Sequence, residues 1–164
     1  MKIQRIVKHL LMTDGAVRRA FPRSALNVIE NAIKAAESAH AGEIRFVVEG
    51  GLDGLPLFTG QTARERAIEL FSQLRVWDTQ NNSGLLIYLL LADRAVEIVA
   101  DRGIHAVVGP HEWRKVCRQM ETAFRQSNYE GGVVSGVQAV TSHLVQHFPA
   151  DDRGNELPDR SVVL

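Results

Sequence analysis

The sequence has few of the features that mark disulfide-stapled, membrane-spanning or strongly charged proteins. Cys117 is the single cysteine among 164 residues, which excludes an internal disulfide framework and a metal site built from several thiolates. Nineteen Lys and Arg balance nineteen Asp and Glu, so the basic excess typical of nucleic-acid binders is missing and no nucleic-acid partner is expected. The longest apolar run, Leu85 to Ala92, has eight residues, far short of the roughly 20 that span a bilayer.

The N-terminal segment does not resemble a secretory signal, because charges interrupt its apolar residues and no unbroken apolar core follows. We therefore expect a cytoplasmic protein without direct membrane insertion, in a reducing compartment that suits a buried Cys117. Hydrophobic residues make up 45% and charged residues 23% of the chain, which is typical of one globular domain with its own core.

Three regions are predicted along the chain. Residues 1–13 form an amphipathic N-terminal helix, since Lys2–Met12 carries apolar residues at helical spacing, and this helix either packs on the body or binds a partner. Residues 14–148 form the main domain. Residues 149–164 form a polar C-terminal tail, in which Ser161–Leu164 is expected to dock as a terminal strand.

The pattern of the main domain predicts a three-layer α/β/α sandwich around a small mixed sheet. The unbroken apolar run Leu85–Leu91 is typical of a strand buried on both faces. The link Ala92–Arg94 is too short for a parallel return, so the strands that it joins are antiparallel. The predicted order is helix 2–12, helix 24–41, strand 44–49, loop 52–60, a helix capped by Thr62, strand 85–91, strand 95–100, and two helices carrying Trp113 and Val133.

This topology predicts that polar groups gather at one rim of the sheet. Asp101, after the third strand, is expected beside Asn82 and Asp78, which precede the second strand, while Asp93 and Arg94 lie at the opposite end. Carboxylate and amide oxygens are the ligands that Ca²⁺ and Mg²⁺ prefer, so these residues are candidate metal ligands. The alternative is that they only form turns, since Asp and Asn bond their own backbone at strand ends.

Two neighbours of these residues are candidate ligand contacts. The planar guanidinium of Arg102 suits an anion such as phosphate, although a solvated or locally paired Arg is the alternative. Trp77 either stacks on a ligand or caps the junction between helix and strand. The sequence contains neither of the common glycine-rich phosphate-binding motifs, so no nucleotide cofactor is expected.

In these motifs the chain resembles the TPM domain family. That family has a tryptophan after a helix, an Asp-Asn-Gly, a very apolar strand, an Asp-Arg turn, a second strand and Gly-containing segments. The matching stretches here are Trp77, Asn82-Ser83-Gly84, Leu85–Leu91, Asp93-Arg94, Val96-Glu97-Ile98, Asp101–Ile104 and Tyr129–Gly132.

The resemblance implies an α/β/α fold with an ion site at the strand ends. Relatives are described as acid phosphatases, as Ca²⁺ binders or as auxiliary subunits. By position Asp14 matches the family's early aspartate and Asn82 its loop aspartate, while Asp101 lies in the family's Gly-rich end. Because Asn82 replaces a carboxylate by a neutral amide, we expect a weaker divalent-cation site than in relatives.

The leading hypothesis is a soluble TPM-like domain that acts as a non-catalytic interaction module and binds Ca²⁺ or Mg²⁺ and a protein partner. One alternative is a metal-assisted acid phosphatase, in which Asp14, Asp78 and Asp101 hold the ion and Arg102 holds the phosphate of a phosphomonoester. Another is an accessory domain that docks on a membrane-associated partner through Lys2–Met12. The sequence leaves the oligomeric state open.

Overall fold

The computed structural model describes residues 2–164, and Met1, the first residue of the predicted segment 1–13, lies outside this range. The described chain forms eight helices and four strands. None of its helices is long and apolar enough to cross a membrane. In chain order the elements are α1 (Lys2–Leu10), α2 (Asp14–Ala20), α3 (Arg23–Glu37), β1 (Glu43–Glu49), α4 (Gly54–Thr59), α5 (Ala63–Gln73), β2 (Gly84–Leu90), β3 (Ala95–Ala100), α6 (Arg102–His105), α7 (Pro110–Arg125), α8 (Tyr129–His147) and β4 (Val162–Val163).

The four strands form one mixed sheet in the order β3-β2-β1-β4. β1 runs parallel to β2, with Glu43 opposite Gly84 and Glu49 opposite Leu90. β3 returns antiparallel to β2, with Leu90 opposite Ala95. The short link before β3 therefore reverses the chain as predicted, because no crossover helix fits between these strands.

Helices cover both faces of the sheet, which confirms the predicted α/β architecture. On one face the side chains of Ile44, Phe46 and Val48 pack with apolar residues of α2, α3, α7 and α8. On the other face Val47 of β1 packs with Tyr88 of β2 and with residues of α4 and α5. β2 is buried along its whole length, as expected for a strand with helices on both sides.

Three short helices, α2, α4 and α6, lie outside the helices that the sequence predicted. α2 lies between the predicted helices 2–12 and 24–41, and the Thr13 side chain caps it by accepting a hydrogen bond from the Ala16 amide. α4 lies inside the predicted loop 52–60 and ends at Gly60, whose φ of 82° is left-handed. By contrast, the predicted cap of α5 is confirmed as a capping box between Thr62 and Glu65.

Part of the C-terminal segment 149–164 is packed against the domain. The buried Glu43 carboxylate accepts hydrogen bonds from the Glu156 and Leu157 amides, both at 3.2 Å. Val162–Val163 pairs parallel with β1 at the sheet edge, which confirms the expected terminal strand. Nearby, burial and a hydrogen bond with Asp159 raise the pKa of Glu37 to about 9, so this carboxyl is protonated at neutral pH.

Candidate functional site

Three of the predicted site residues meet at the rim where β2 begins and β3 ends. The Asp101 amide donates to the Gly84 carbonyl at 2.9 Å, and the Gly103 amide donates to the Asn82 carbonyl at 3.0 Å. The Arg102 guanidinium lies 3.4 Å from Oδ1 of Asn82. The antiparallel return of β3 therefore brings Asn82, Asp101 and Arg102 together, as the sequence predicted.

Asp101 is the buried member of this rim cluster, which consists of Asn82, Asp101 and Arg102. It caps the short helix α6, because its Oδ1 accepts a hydrogen bond from the Arg102 amide at 2.7 Å. Its Oδ2 is also buried and has no hydrogen-bond partner among residues 2–164. A buried carboxylate oxygen without a partner is costly, so this atom is the strongest local signal for a missing ligand or water.

The other predicted ligands make no side-chain hydrogen bond with the rim cluster among residues 2–164. Asp78 and Trp77 lie on the loop that leads into β2, and both are exposed to solvent. Asp14 is placed at the other end of the sheet, because Val17 of its helix packs against Gly50, just beyond the C-terminal end of β1. The expectation that Asp14 shares a site with Asp101 is therefore wrong.

The rim cluster is a poor match for a divalent-cation site as it stands. Residues 2–164 contain no group of three or more His, Cys, Asp or Glu side chains that could hold a metal ion. Arg102 also approaches the amide oxygen of Asn82, which places a positive charge where a cation would bind. Ca²⁺ usually takes six to eight oxygen ligands, several of them carboxylates, so only a rearranged loop around Asp101 would offer enough donors.

A second polar cluster lies at the opposite end of the sheet and fastens α1 to the body. Its centre is Asp93 in the link between β2 and β3, which receives Arg5 Nε at 3.0 Å and His9 Nε2 at 2.9 Å. The Leu52 amide donates to His9 Nδ1 at 2.8 Å, so the ring proton lies on Nε2 and points to Asp93. Although burial opposes it, hydrogen bonds from Arg5 and His9 hold the pKa of Asp93 below its usual value.

α1 contacts the body through Arg5, His9 and the partly buried Ile6, and its other apolar side chains face solvent. At 100° per residue Ile3, Val7, Leu10 and Leu11 fall in a sector about 100° wide, opposite His9. These four side chains are 77%, 47%, 61% and 72% exposed. We call them the α1 outer face. The neighbouring helix α4 adds Leu55 and Phe58, also largely exposed.

Comparison with known proteins identifies the fold's family. The family model of the TPM domain matches residues 18–143, which is most of the chain. The chain belongs to the TPM domain family. The resemblance seen in the sequence motifs is thereby confirmed. Among curated proteins none matches this TPM domain significantly.

Solved structures of bacterial proteins resemble this TPM domain. The NMR structure of the BA42 protein from the psychrophilic bacterium Bizionia argentinensis is 28% identical, with a TM-score of 0.75 over 86% of this chain and 93% of that one. The N-terminal domain of a P. gingivalis protein is 26% identical, with a TM-score of 0.59 over 76% and 78%. The N-terminal domain of cg2496 from Corynebacterium glutamicum, 15% identical, has a TM-score of 0.54 over 85% and 78% and supports the fold alone.

One buried ionic cluster in this TPM domain was missed by the sequence analysis. The Glu49 carboxylate, at the end of β1, receives Arg66 Nε at 3.0 Å and Nη2 at 2.9 Å from α5. The Tyr88 hydroxyl of β2 donates to the same carboxylate at 2.6 Å. Burial and the Glu49 charge raise the pKa of Tyr88 above its usual value. The sequence does contain one signal for this cluster, because acidic residues are seldom buried and Glu49 belongs to a strand that is otherwise buried.

Proposed function

We propose that this TPM domain is a non-catalytic interaction module that binds its partner through the α1 outer face. The observation that carries the proposal is the orientation of α1 on the body. The polar His9 is buried, whereas the apolar side chains of Ile3 and Leu11 are exposed to solvent. A contiguous exposed apolar patch commonly marks an interaction site. Directing Arg5 and the buried His9 toward the body while leaving two leucines in solvent has no advantage for the domain alone, and it supports a role for the outer surface.

The rim cluster supports the non-catalytic part of the proposal. It contains a carboxylate, an amide and a guanidinium, and Asp101 is already engaged as the cap of α6. The single thiol, Cys117, is buried, and burial together with nearby Glu97 raises its pKa to about 12, so it is not a nucleophile at neutral pH. We also propose a cytoplasmic location, supported by this lone buried thiol.

A photo-crosslinking amino acid placed in the full chain tests the interaction module. Carried at position 11, directly after α1, in protein expressed in the cells that produce it, the probe should give discrete adducts, because Leu11 is a strongly exposed member of the α1 outer face. The same probe at position 145 on α8 is the matched control, since Val145 is a similarly apolar and exposed residue on the opposite face of the sheet. Identical adduct patterns at the two positions, for lipids as well as for proteins, would contradict the proposal.

A second candidate function is divalent-ion binding at the rim, either as a regulator of the module or in metal-assisted hydrolysis of a phosphomonoester. The specific observation in its favour is Oδ2 of Asp101, which is buried without a hydrogen-bond partner among residues 2–164. Asn82 would supply a neutral oxygen, the exposed Asp78 a further carboxylate after movement of its loop, and Arg102 a contact for the phosphate.

Thermal melting with Ca²⁺ or Mg²⁺ tests this candidate. If the rim binds the ion, a hundredfold excess over Kd should raise the Tm by about 5 °C or more, since binding to the folded state alone stabilises it by about 2.7 kcal/mol. Asp101→Asn should abolish the shift while keeping the cap of α6, because Asn is an equally good cap. Asp14→Asn, which removes the same charge at the other end of the sheet, should keep it.

Two results would change these assignments. An unchanged Tm at saturating Ca²⁺ and Mg²⁺ would eliminate the ion site. Divalent-dependent hydrolysis of p-nitrophenyl phosphate that is lost in Asp101→Asn but kept in Asp14→Asn would make the protein a phosphatase and contradict the non-catalytic module.

A further inference from the structure

The chemistry of the α1 outer face indicates which class of partner it fits. The face is aliphatic, and the basic residues Lys2 and Lys8 flank it on either side of the helix. Arg94, an exposed residue of the link between β2 and β3, lines the same shallow depression as Lys8 and Leu11. The one carboxylate of this depression, Asp93, is bound by Arg5 and His9. The segment 2–12 contains no acidic residue. The surface is therefore apolar at its centre and positively charged at its border.

From this combination we infer that the α1 outer face docks on an anionic lipid surface. The inference rests on the proposed function and names the partner of the same face. A surface-bound amphipathic helix places Leu, Ile and Phe at the boundary between headgroups and acyl chains, while Lys and Arg contact lipid phosphates. Such docking lies at headgroup depth, so it needs no membrane-spanning helix.

Other occupants fit this surface less well. A second copy of the chain would bring Lys2, Lys8 and Arg94 against their own equivalents, and like charges in contact oppose association. Protein interfaces are enriched in aromatic residues, Met and Arg and depleted in Lys, whereas the four side chains of the α1 outer face are aliphatic and Lys2 and Lys8 lie on either side of them. The face also protrudes as the solvent side of a helix, and a soluble protein partner would need a matching groove.

The anchoring of α1 strengthens the inference. Since Arg5 and His9 hold the helix on Asp93 and on the Leu52 amide, the outer face is already helical and oriented before it meets a surface. Docking therefore requires no folding of the segment and loses little conformational entropy. Leu55 and Phe58 of α4, a helix that contacts α1, are further exposed apolar side chains in this part of the molecule.

Co-sedimentation of the full chain with lipid vesicles tests the inference. The protein should pellet with vesicles of mixed phosphatidylcholine and phosphatidylglycerol at low ionic strength, and it should stay in solution with pure phosphatidylcholine. Binding to the anionic vesicles should weaken as salt rises, because salt screens the lysines. Ile3→Glu/Leu11→Glu should weaken binding by at least about tenfold, since it removes apolar contacts and adds repulsive charge.

Two further variants separate the contribution of the lysines from a general effect of added negative charge. Lys2→Ala/Lys8→Ala should weaken binding to the anionic vesicles by about 25-fold, since each lysine near the surface contributes roughly fivefold. Val28→Glu/Val145→Glu adds the same two negative charges on α3 and α8, across the sheet from α1, and should bind as the unmodified protein does. Circular dichroism should show unchanged folding in all variants, because every substituted side chain is exposed.

The inference is overturned if the unmodified protein fails to pellet with anionic vesicles, or if Ile3→Glu/Leu11→Glu pellets equally well. Adducts from position 11 to a discrete protein, with no vesicle binding, would also overturn the lipid assignment while leaving the interaction module intact. Absence of both vesicle binding and position-specific adducts would remove the module as well, so the two failures are distinguishable.

Discussion

Replacing Gly84 by alanine should destabilise the domain by about 3 kcal/mol or more, which lowers the Tm by roughly 6–12 °C for a chain of this size. Gly84 begins the central strand β2, and a Cβ at this position would lie 1.8 Å from the carbonyl oxygen of Val76. The obstacle is backbone, so it cannot be relieved by a side-chain rotation. The segment 76–84 would have to move, and the rim residue Asn82 moves with it.

Chemical or thermal denaturation of Gly84→Ala measures this effect. Gly154→Ala is the matched control, because Gly154 is exposed and nothing lies within 4 Å of a Cβ built there. We expect the control to melt within about a degree of the unmodified protein. Equal stability of the two variants would contradict the close approach of β2 to Val76.

Replacing Arg66 by methionine should cost about 3–5 kcal/mol of folding stability at neutral pH, because it leaves the buried Glu49 carboxylate without its charged partner. The Glu49 and Arg66 side chains are only 9% and 19% exposed, so solvent cannot replace the lost hydrogen bonds. The hydrogen bonds with Glu49 raise the pKa of Arg66, so the guanidinium carries its positive charge at neutral pH.

Two variants separate the lost ion pair from the lost side-chain volume. Glu49→Gln/Arg66→Met removes both charges and should recover much of the stability, since the unpaired buried charge causes most of the loss. Arg23→Met removes an arginine that is 61% exposed and 3.6 Å from Glu30, and it should cost no more than about 0.5 kcal/mol. A loss of similar size in Arg23→Met and Arg66→Met would contradict the assigned role of Glu49.

The elements that the sequence predicted correctly depend on local signals. The unbroken apolar run Leu85–Leu91 indicates a central strand wherever it is placed in the chain, and the Thr62–Glu65 box marks the start of α5 within four residues. The short link before β3 then leaves one possible direction for the next strand. Because the rim cluster follows from that reversal, the sequence alone predicts that Asp101 and Asn82 lie close together.

The features that the sequence did not predict depend on contacts between distant segments. His9 is buried because it meets the Leu52 amide and Asp93, and neither contact can be derived from the spacing of apolar residues in α1. The position of Asp14 was wrong for the same reason, since it depends on how α2 packs against Gly50. Helical periodicity shows that a helix has an apolar face, but not whether that face is turned inward.

The parallel pairing of Val162–Val163 with β1 has a consequence for aggregation. β4 pairs with Val47 and Val48 of β1 and so covers the C-terminal part of a side that would otherwise present free amide and carbonyl groups along one margin of the sheet. Detachment of the last few residues would expose a buried, strongly apolar strand as a template on which other chains could add. We therefore expect a chain that lacks these last residues to self-associate through β1 more readily than the unmodified protein.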